Sequence, residues 1–193
     1  HLGGSASICA IKDGCSIETS MGFSPQAGLS HATRNGDLDP FVLLYLMEME
    51  NLSIDQLRTA LSKRGGLKGI SGLSGDVRDL EEAALNGNSR ARLALDVFVH
   101  EIKKYIGAYT AVLEGLDVLV FTGGIGENGI KIREKVCQGL ECFGVQIDLQ
   151  KNQIQGKEAL ISTEDSSVAI LVILANEELV IARETKRLIT ESS

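Results

Sequence analysis

Three glycines, Gly124, Gly126 and Gly129, stand at G-x-G-x-x-G spacing between an apolar run, Val118 to Phe121, and a helix-like run from Ile130 to Leu140. Glycines in a strand-to-helix turn let a backbone approach a ligand closely, and the N-terminus of the following helix favours negative charge. The chemistry suggested is contact with a nucleotide; the alternative is a tight connection with no ligand. Asp148 lies 19 residues beyond Gly129, about where a dinucleotide-binding fold carries its ribose-binding acid. A nicotinamide-dependent oxidoreductase is therefore one reading. Against it, a dinucleotide loop belongs to the first βαβ unit of its domain, whereas about a hundred residues precede this one. One convincing strand follows Asp148, too few to complete such a sheet. Glu127 and Asn128 also stand where that fold usually carries small or apolar side chains.

The elements around the glycines have a distinct order. Two short strands flank Asp13-Gly14, a strong hairpin signal. The stretch 21–40 is rich in Gly, Ser, Pro and Asn and reads as loop. Asp39 and Pro40 form an N-cap and first-turn pair, and Ser53 to Gln56 is a capping-box pattern with Ile54, Leu57 and Leu61 on one helix face. The segment RGGLKGISGLSGD, with five glycines in thirteen residues, reads as loop outside the core. A short helix is expected from Arg78 to Leu85. A long one is expected from Ala91 to Leu113, presenting Leu95, Phe98, Ile102, Tyr105 and Tyr109 at helical spacing. After the glycines come a short strand at Gly144 to Asp148 and a fully buried strand at Val168 to Leu174. A last helix then starts at Asn176 to Glu178, with Leu179, Ala182 and Leu188 toward a core. This order predicts one α/β domain with a mixed sheet.

The 193 residues carry a net charge of -7, with 44% hydrophobic and 23% charged residues. That balance suits a soluble globular protein and argues against nucleic-acid or anionic-membrane partners, which need clustered Lys and Arg. The longest apolar run, Val168 to Ala175, is far too short to span a bilayer. No signal-peptide pattern is visible, and the four cysteines form no C-x-x-C pair. The expectation is a cytoplasmic protein with reduced thiols. The first residue is His1 rather than Met, which suggests a chain cut from something longer.

Taken in order, HLGGSASICAIKDG, TSMGFSP, TRNGDLDP, GISGLSGDVRD, FTGGIGEN and ANEELVIARET resemble the C-terminal half of acetate kinases over essentially the whole chain. The family belongs to the acetate/sugar kinase, Hsp70 and actin superfamily. The resemblance implies a ribonuclease H-like, actin-like ATPase domain, built on a βββαβαβα unit whose early hairpin fits the order above. It implies reversible phosphoryl transfer from ATP to acetate, giving acetyl phosphate and ADP, with Mg2+ or Mn2+ as the metal and a homodimer as the assembly.

By resemblance, His1, Leu2, Gly3, Gly4 and Ser5 form a phosphate-binding turn of backbone N–H groups. The family usually has HLGNG there, so Gly4 and Ser5 depart from it. Arg34 corresponds to the catalytic arginine, whose planar fork stabilises charge on the transferring phosphoryl group. Asp76, Val77 and Arg78 match the adenosine-contacting segment, Val77 replacing a larger residue; capping of the next helix is the plainer role for Asp76. Gly124, Ile125, Gly126, Glu127 and Asn128 match the adenosine motif, and retention of Gly124-Ile125 favours ATP over pyrophosphate. Glu177 matches the metal-site glutamate, although acids are common at helix N-termini for the dipole alone. The other catalytic groups and the acyl pocket belong to the family's N-terminal half, which this chain lacks. Alternatives are a non-catalytic nucleotide-binding module of the same superfamily and a propionate or butyrate kinase.

Overall fold

The computed structural model describes residues 1–191. The chain opens with a hairpin, β1 (Cys9–Lys12) and β2 (Cys15–Thr19), paired antiparallel. Its two-residue turn places Asp13 and Gly14 at φ 54° and 76°, matching the right-handed strand twist. Helices α1 (Pro40–Met49), α2 (Ile54–Lys63), α3 (Gly66–Ser71), α4 (Val77–Leu85) and α5 (Ser89–Val112) follow. Then come β3 (Val118–Phe121), α6 (Gly123–Asn128), α7 (Ile130–Cys137), β4 (Ala159–Leu160), β5 (Ala169–Val172) and α8 (Glu177–Glu191). A second sheet has the order β3-β5-β4, with β3 parallel and β4 antiparallel to β5.

Local signals account for the helix starts. The Asp39 side chain accepts from Phe41 N–H ahead of Pro40, and Ser53 and Gln56 complete both halves of the capping box. The long helix α5 forms the spine. Leu95, Phe98, Ile102, Ile106 and Tyr109 are buried along one face, which packs on α3, α4, α7 and β1. Of the positions expected on that face, Tyr105 is half-buried, because its hydroxyl donates outward to Asp37 Oδ2 at 2.6 Å.

Four expectations require correction. RGGLKGISGLSGD contains α3, with Leu67 and Ser71 buried; the glycines permit close packing on α5 and on the loop at 31–36 instead of loosening the chain. Gly144 to Asp148 makes a lone bridge, Ile147 to Ser162, because the Asp148 carboxylate accepts from Gln150 and Lys151 N–H and turns the chain. In β5 burial alternates, with Ile170 and Val172 buried and Ala169 and Leu171 half-covered, since one sheet face meets the core and the other is only partly sheltered. Leu179, Ala182 and Leu188 in α8 are exposed, because no surface among the described residues covers the helix's apolar stripe. The four cysteines are free, with Cys137 buried and its thiol pushed up to about 12 by that burial. No helix among the described residues is long and apolar enough to cross a membrane.

Phe98 is buried at the centre of the α5 face. Phe98→Ala leaves a cavity there and should lower unfolding free energy by about 3–5 kcal/mol, measured as a reduced denaturant midpoint; a loss within error would misplace the core.

Candidate functional site

The two glycine-rich segments meet through one residue. Leu2 N–H donates to the Thr122 carbonyl at 2.8 Å, and the Leu2 carbonyl accepts from Ile125 N–H at 2.7 Å and Gly126 N–H at 3.2 Å. Gly123, at φ 76°, permits this approach: a Cβ there would lie 2.8 Å from the Leu2 oxygen. The loop expected over GIGEN is therefore the short helix α6, capped by the turn at 1–5. The α6 N-terminus is largely occupied by protein acceptors, since Gly123 N–H also donates to Glu127 Oε1 at 3.0 Å. A pyrophosphate could not use those groups in the dinucleotide manner, which removes the main physical support for that reading. Asp148 serves as a turn cap, its carboxyl held below the usual range first by the Lys151 N–H. Around Gly124 the space is open, so ligand atoms can approach its backbone.

Deeper in, Arg133 is fully buried and faces carbonyls in place of carboxylates. Its guanidinium donates to Gly126 O at 2.9 Å, Asn152 O at 2.9 Å and Ile154 O at 2.8 Å, and to Asn152 Oδ1 at 2.7 Å. The clamp holds α6 from below. Asn128 closes the same helix, with Nδ2 on the Gly124 carbonyl at 2.9 Å.

The loop carrying Arg34 is gripped from two sides. From α3 and the residue before it, the N–H groups of Leu67, Lys68 and Gly65 donate to the carbonyls of His31, Ala32 and Thr33 at 2.9, 3.0 and 3.0 Å. Gly66 lies at φ 58°, where a side chain would overlap the His31 and Arg34 carbonyls. From α5, Glu101 accepts from Ser30 N–H and hydroxyl at 2.7 and 3.0 Å, while Asp37 joins Tyr105 to Gly28 N–H. Ala32 N–H donates to the Gly4 carbonyl at 3.1 Å and so ties this loop to the 1–5 turn. Arg34 itself is half-buried and donates to the Pro25 carbonyl.

His31, which sequence reasoning missed, adds a second tie. Its Nδ1 accepts from Ala6 N–H at 2.9 Å, requiring a neutral ring, and Nε2 has no hydrogen-bond partner among the described residues. Burial, then Arg34, hold its pKa below the ordinary value. Its neighbours in SHATRNGD carried no helical or strand period that would have singled it out.

Asp76 and Arg78 sit beside this loop, because Gly75 packs on the Ala32 carbonyl. Asp76 caps α4 through Arg78 N–H at 2.9 Å and pairs with the Arg78 guanidinium at 2.6 Å. That side-chain bond lowers the Asp76 pKa and raises that of Arg78. Val77 is buried in the core, so its side chain packs inward and offers no stacking face. Glu177 is exposed at the start of α8. The approach to α8 is joined to α6 by Glu127 Oε1, which accepts from Ala175 N–H at 2.8 Å. No trio of His, Cys, Asp or Glu among the described residues is placed to hold a metal. Glu177 is one exposed carboxylate near α6, which fits a hard cation completed by phosphate oxygens and water. Thus the turn at 1–5, the Arg34 loop, the Asp76 cap, α6 and the start of α8 are linked in one neighbourhood.

This arrangement defines an actin-like ATPase domain, and comparison with known proteins agrees. The sequence pattern of the acetokinase family matches residues 1–183, and the chain belongs to that family. It is 54% identical to the acetate kinase of Acetivibrio thermocellus over 189 residues, 98% of this chain and 47% of that enzyme. The crystal structure of Porphyromonas gingivalis acetate kinase superposes with a TM-score of 0.93 at 45% identity, covering 98% of this chain and 48% of that one. A propionate kinase from Francisella tularensis superposes at 0.89 with 42% identity, covering 95% and 47%. The chain spans about half the length of the curated relatives it matches.

The native state binds a proton at His31 less readily than the unfolded chain, so protonation favours unfolding. His31 stability is present above about pH 6.5 and lost as pH falls below it. In His31→Gln, whose amide oxygen can still accept from Ala6, the fall in denaturant midpoint between pH 7.5 and 5.5 should shrink; an unchanged fall would place the titration elsewhere.

Proposed function

We propose that this chain is the C-terminal, nucleotide-binding half of an acetate kinase, which transfers the γ-phosphoryl group of ATP to acetate. The observation that carries the reading is the junction at Leu2, whose peptide unit sets the 1–5 turn against α6 while Gly4 holds the Arg34 loop. In this assignment the backbone of His1, Leu2, Gly3, Gly4 and Ser5 faces phosphates. Gly124 to Asn128 and the Asp76–Arg78 pair border the adenosine. Arg34 exchanges its Pro25 contact for the transferring group, where its fork stabilises charge spread over the equatorial oxygens. Glu177 would contribute a carboxylate to Mg2+, which supplies further charge neutralisation when bound.

The acyl pocket and remaining catalytic groups would come from the other half of the polypeptide. Because the neighbours include a propionate kinase, propionate is the second acceptor reading. The proposal extends to a cytoplasmic homodimer, for which α1, with Phe41, Leu44, Tyr45 and Met49 exposed, offers apolar surface for a second copy.

Two outcomes are expected. This chain alone should bind ATP–Mg weakly by calorimetry and give no acetyl hydroxamate above background; full turnover would overturn the division of the site. In the full-length kinase containing this chain, Arg34→Ala should lower kcat about a thousandfold with folding intact. An unchanged rate would instead support a non-catalytic nucleotide-binding module.

A further inference from the structure

His31 joins three parts of the molecule through one residue. Its backbone N–H donates to the Arg34 carbonyl at 3.0 Å, and its own carbonyl accepts from Leu67 N–H of α3 at 2.9 Å. The ring reaches a third partner, with Nδ1 accepting from Ala6 N–H at 2.9 Å. Both residues of that last bond are buried, and among the described residues Ala6 N–H has no other acceptor.

A ring nitrogen accepts only while it carries no hydrogen, so this bond fixes the tautomer with the proton on Nε2. A second proton would set one N–H against another. The ring would have to turn away and leave the Ala6 donor buried and unsatisfied. The Arg34 loop would then keep one tie to residues 1–6, from Ala32 N–H to the Gly4 carbonyl.

The surroundings offer an imidazolium no counter-charge. Residues 1–6 and α3 contain no carboxylate; their charged or titratable side chains are His1 and Lys68, with Arg64 just before α3. On the loop itself Arg34 opposes a charge on the ring, adding to the effect of burial. The acids on this side are committed elsewhere, Glu101 of α5 to Ser30 and Asp37 to Gly28 and Tyr105. The Ala27 carbonyl favours the charged ring, but completes no hydrogen bond with Nε2.

We propose that His31 is a positioning residue for Arg34: its neutral ring latches the Arg34 loop to Ala6, and a proton on that ring opens the latch and slows phosphoryl transfer. The inference rests on the reading of Arg34 as the catalytic arginine, through which His31 acts. The neutral ring is the working form, so transfer is fully present above the ordinary histidine range, about pH 6.5, and is lost as pH falls through the lowered value.

The test uses the full-length kinase containing this chain, at saturating ATP–Mg and acetate. His31→Gln keeps an acceptor for Ala6 and takes no proton. The ratio of kcat at pH 5.5 to kcat at pH 7.5 should be at least about threefold higher in His31→Gln than in the unsubstituted enzyme. Amide exchange at Ala6 reads the latch without turnover: its protection should drop between pH 7.5 and 5.5 in the unsubstituted enzyme and hold in His31→Gln. His31→Leu has no acceptor at any pH and should lower kcat at pH 7.5 about tenfold, with KM for ATP changed less than about twofold. Should His31→Leu not fold, the His31→Gln comparison decides. Superimposable pH profiles would overturn the coupling to transfer, and equal Ala6 protection would overturn the latch itself. If Arg34→Ala leaves the rate intact, the kinase reading falls and this inference with it. If Arg34→Ala abolishes the rate while the pH profiles superimpose, this inference falls alone.

Discussion

One carbonyl, that of Leu2, organises the site. It accepts two N–H groups from the first turn of α6, Ile125 and Gly126, where a helix otherwise leaves donors without partners. That choice fixes the rest. With those donors bound to protein, the helix N-terminus no longer presents a full anion cradle, and the side of the loop still open is at Gly124. The requirement also falls on Gly123, whose left-handed conformation and missing Cβ are what let the two backbones touch.

The surrounding structure keeps that junction rigid, and Glu127 is a carboxylate bonded directly into it. Arg133 is a buried cation held by carbonyl dipoles, and burial lowers its pKa. Glu101 and Asp37 grip the Arg34 loop through neutral donors. The acids here are either bonded inward or, as at Glu177, exposed at a helix start.

What could be read from the sequence was what depends on near neighbours. Asp13-Gly14, Asp39-Pro40 and the Ser53–Gln56 box each name their partner within four residues, and each formed as expected. The six family motifs identified the family because they are long and ordered. Composition misled where tertiary packing overrode propensity: two of the segment's five glycines, Gly66 and Gly69, lie in α3, whose start is held by the His31, Ala32 and Thr33 carbonyls. Periodicity misled in α8, where an amphipathic stripe implied a core that the described residues do not contain. His31 and Arg133 escaped notice because the Ala6 partner of one and the Asn152 and Ile154 partners of the other lie 25, 19 and 21 residues away, a distance over which single-sequence pattern has no reach.

The same long reach governs how the chain must be made. Leu2 is synthesised well before its acceptor at Thr122 and its donors at Ile125 and Gly126. At about 5–20 residues per second, the ribosome leaves that end waiting roughly 6–25 s before its partners exist. Through that interval the hairpin has formed from local signals while its outer edge has nothing to lie against. Vectorial synthesis therefore exposes an unpaired β-edge early and closes the junction at Leu2 late.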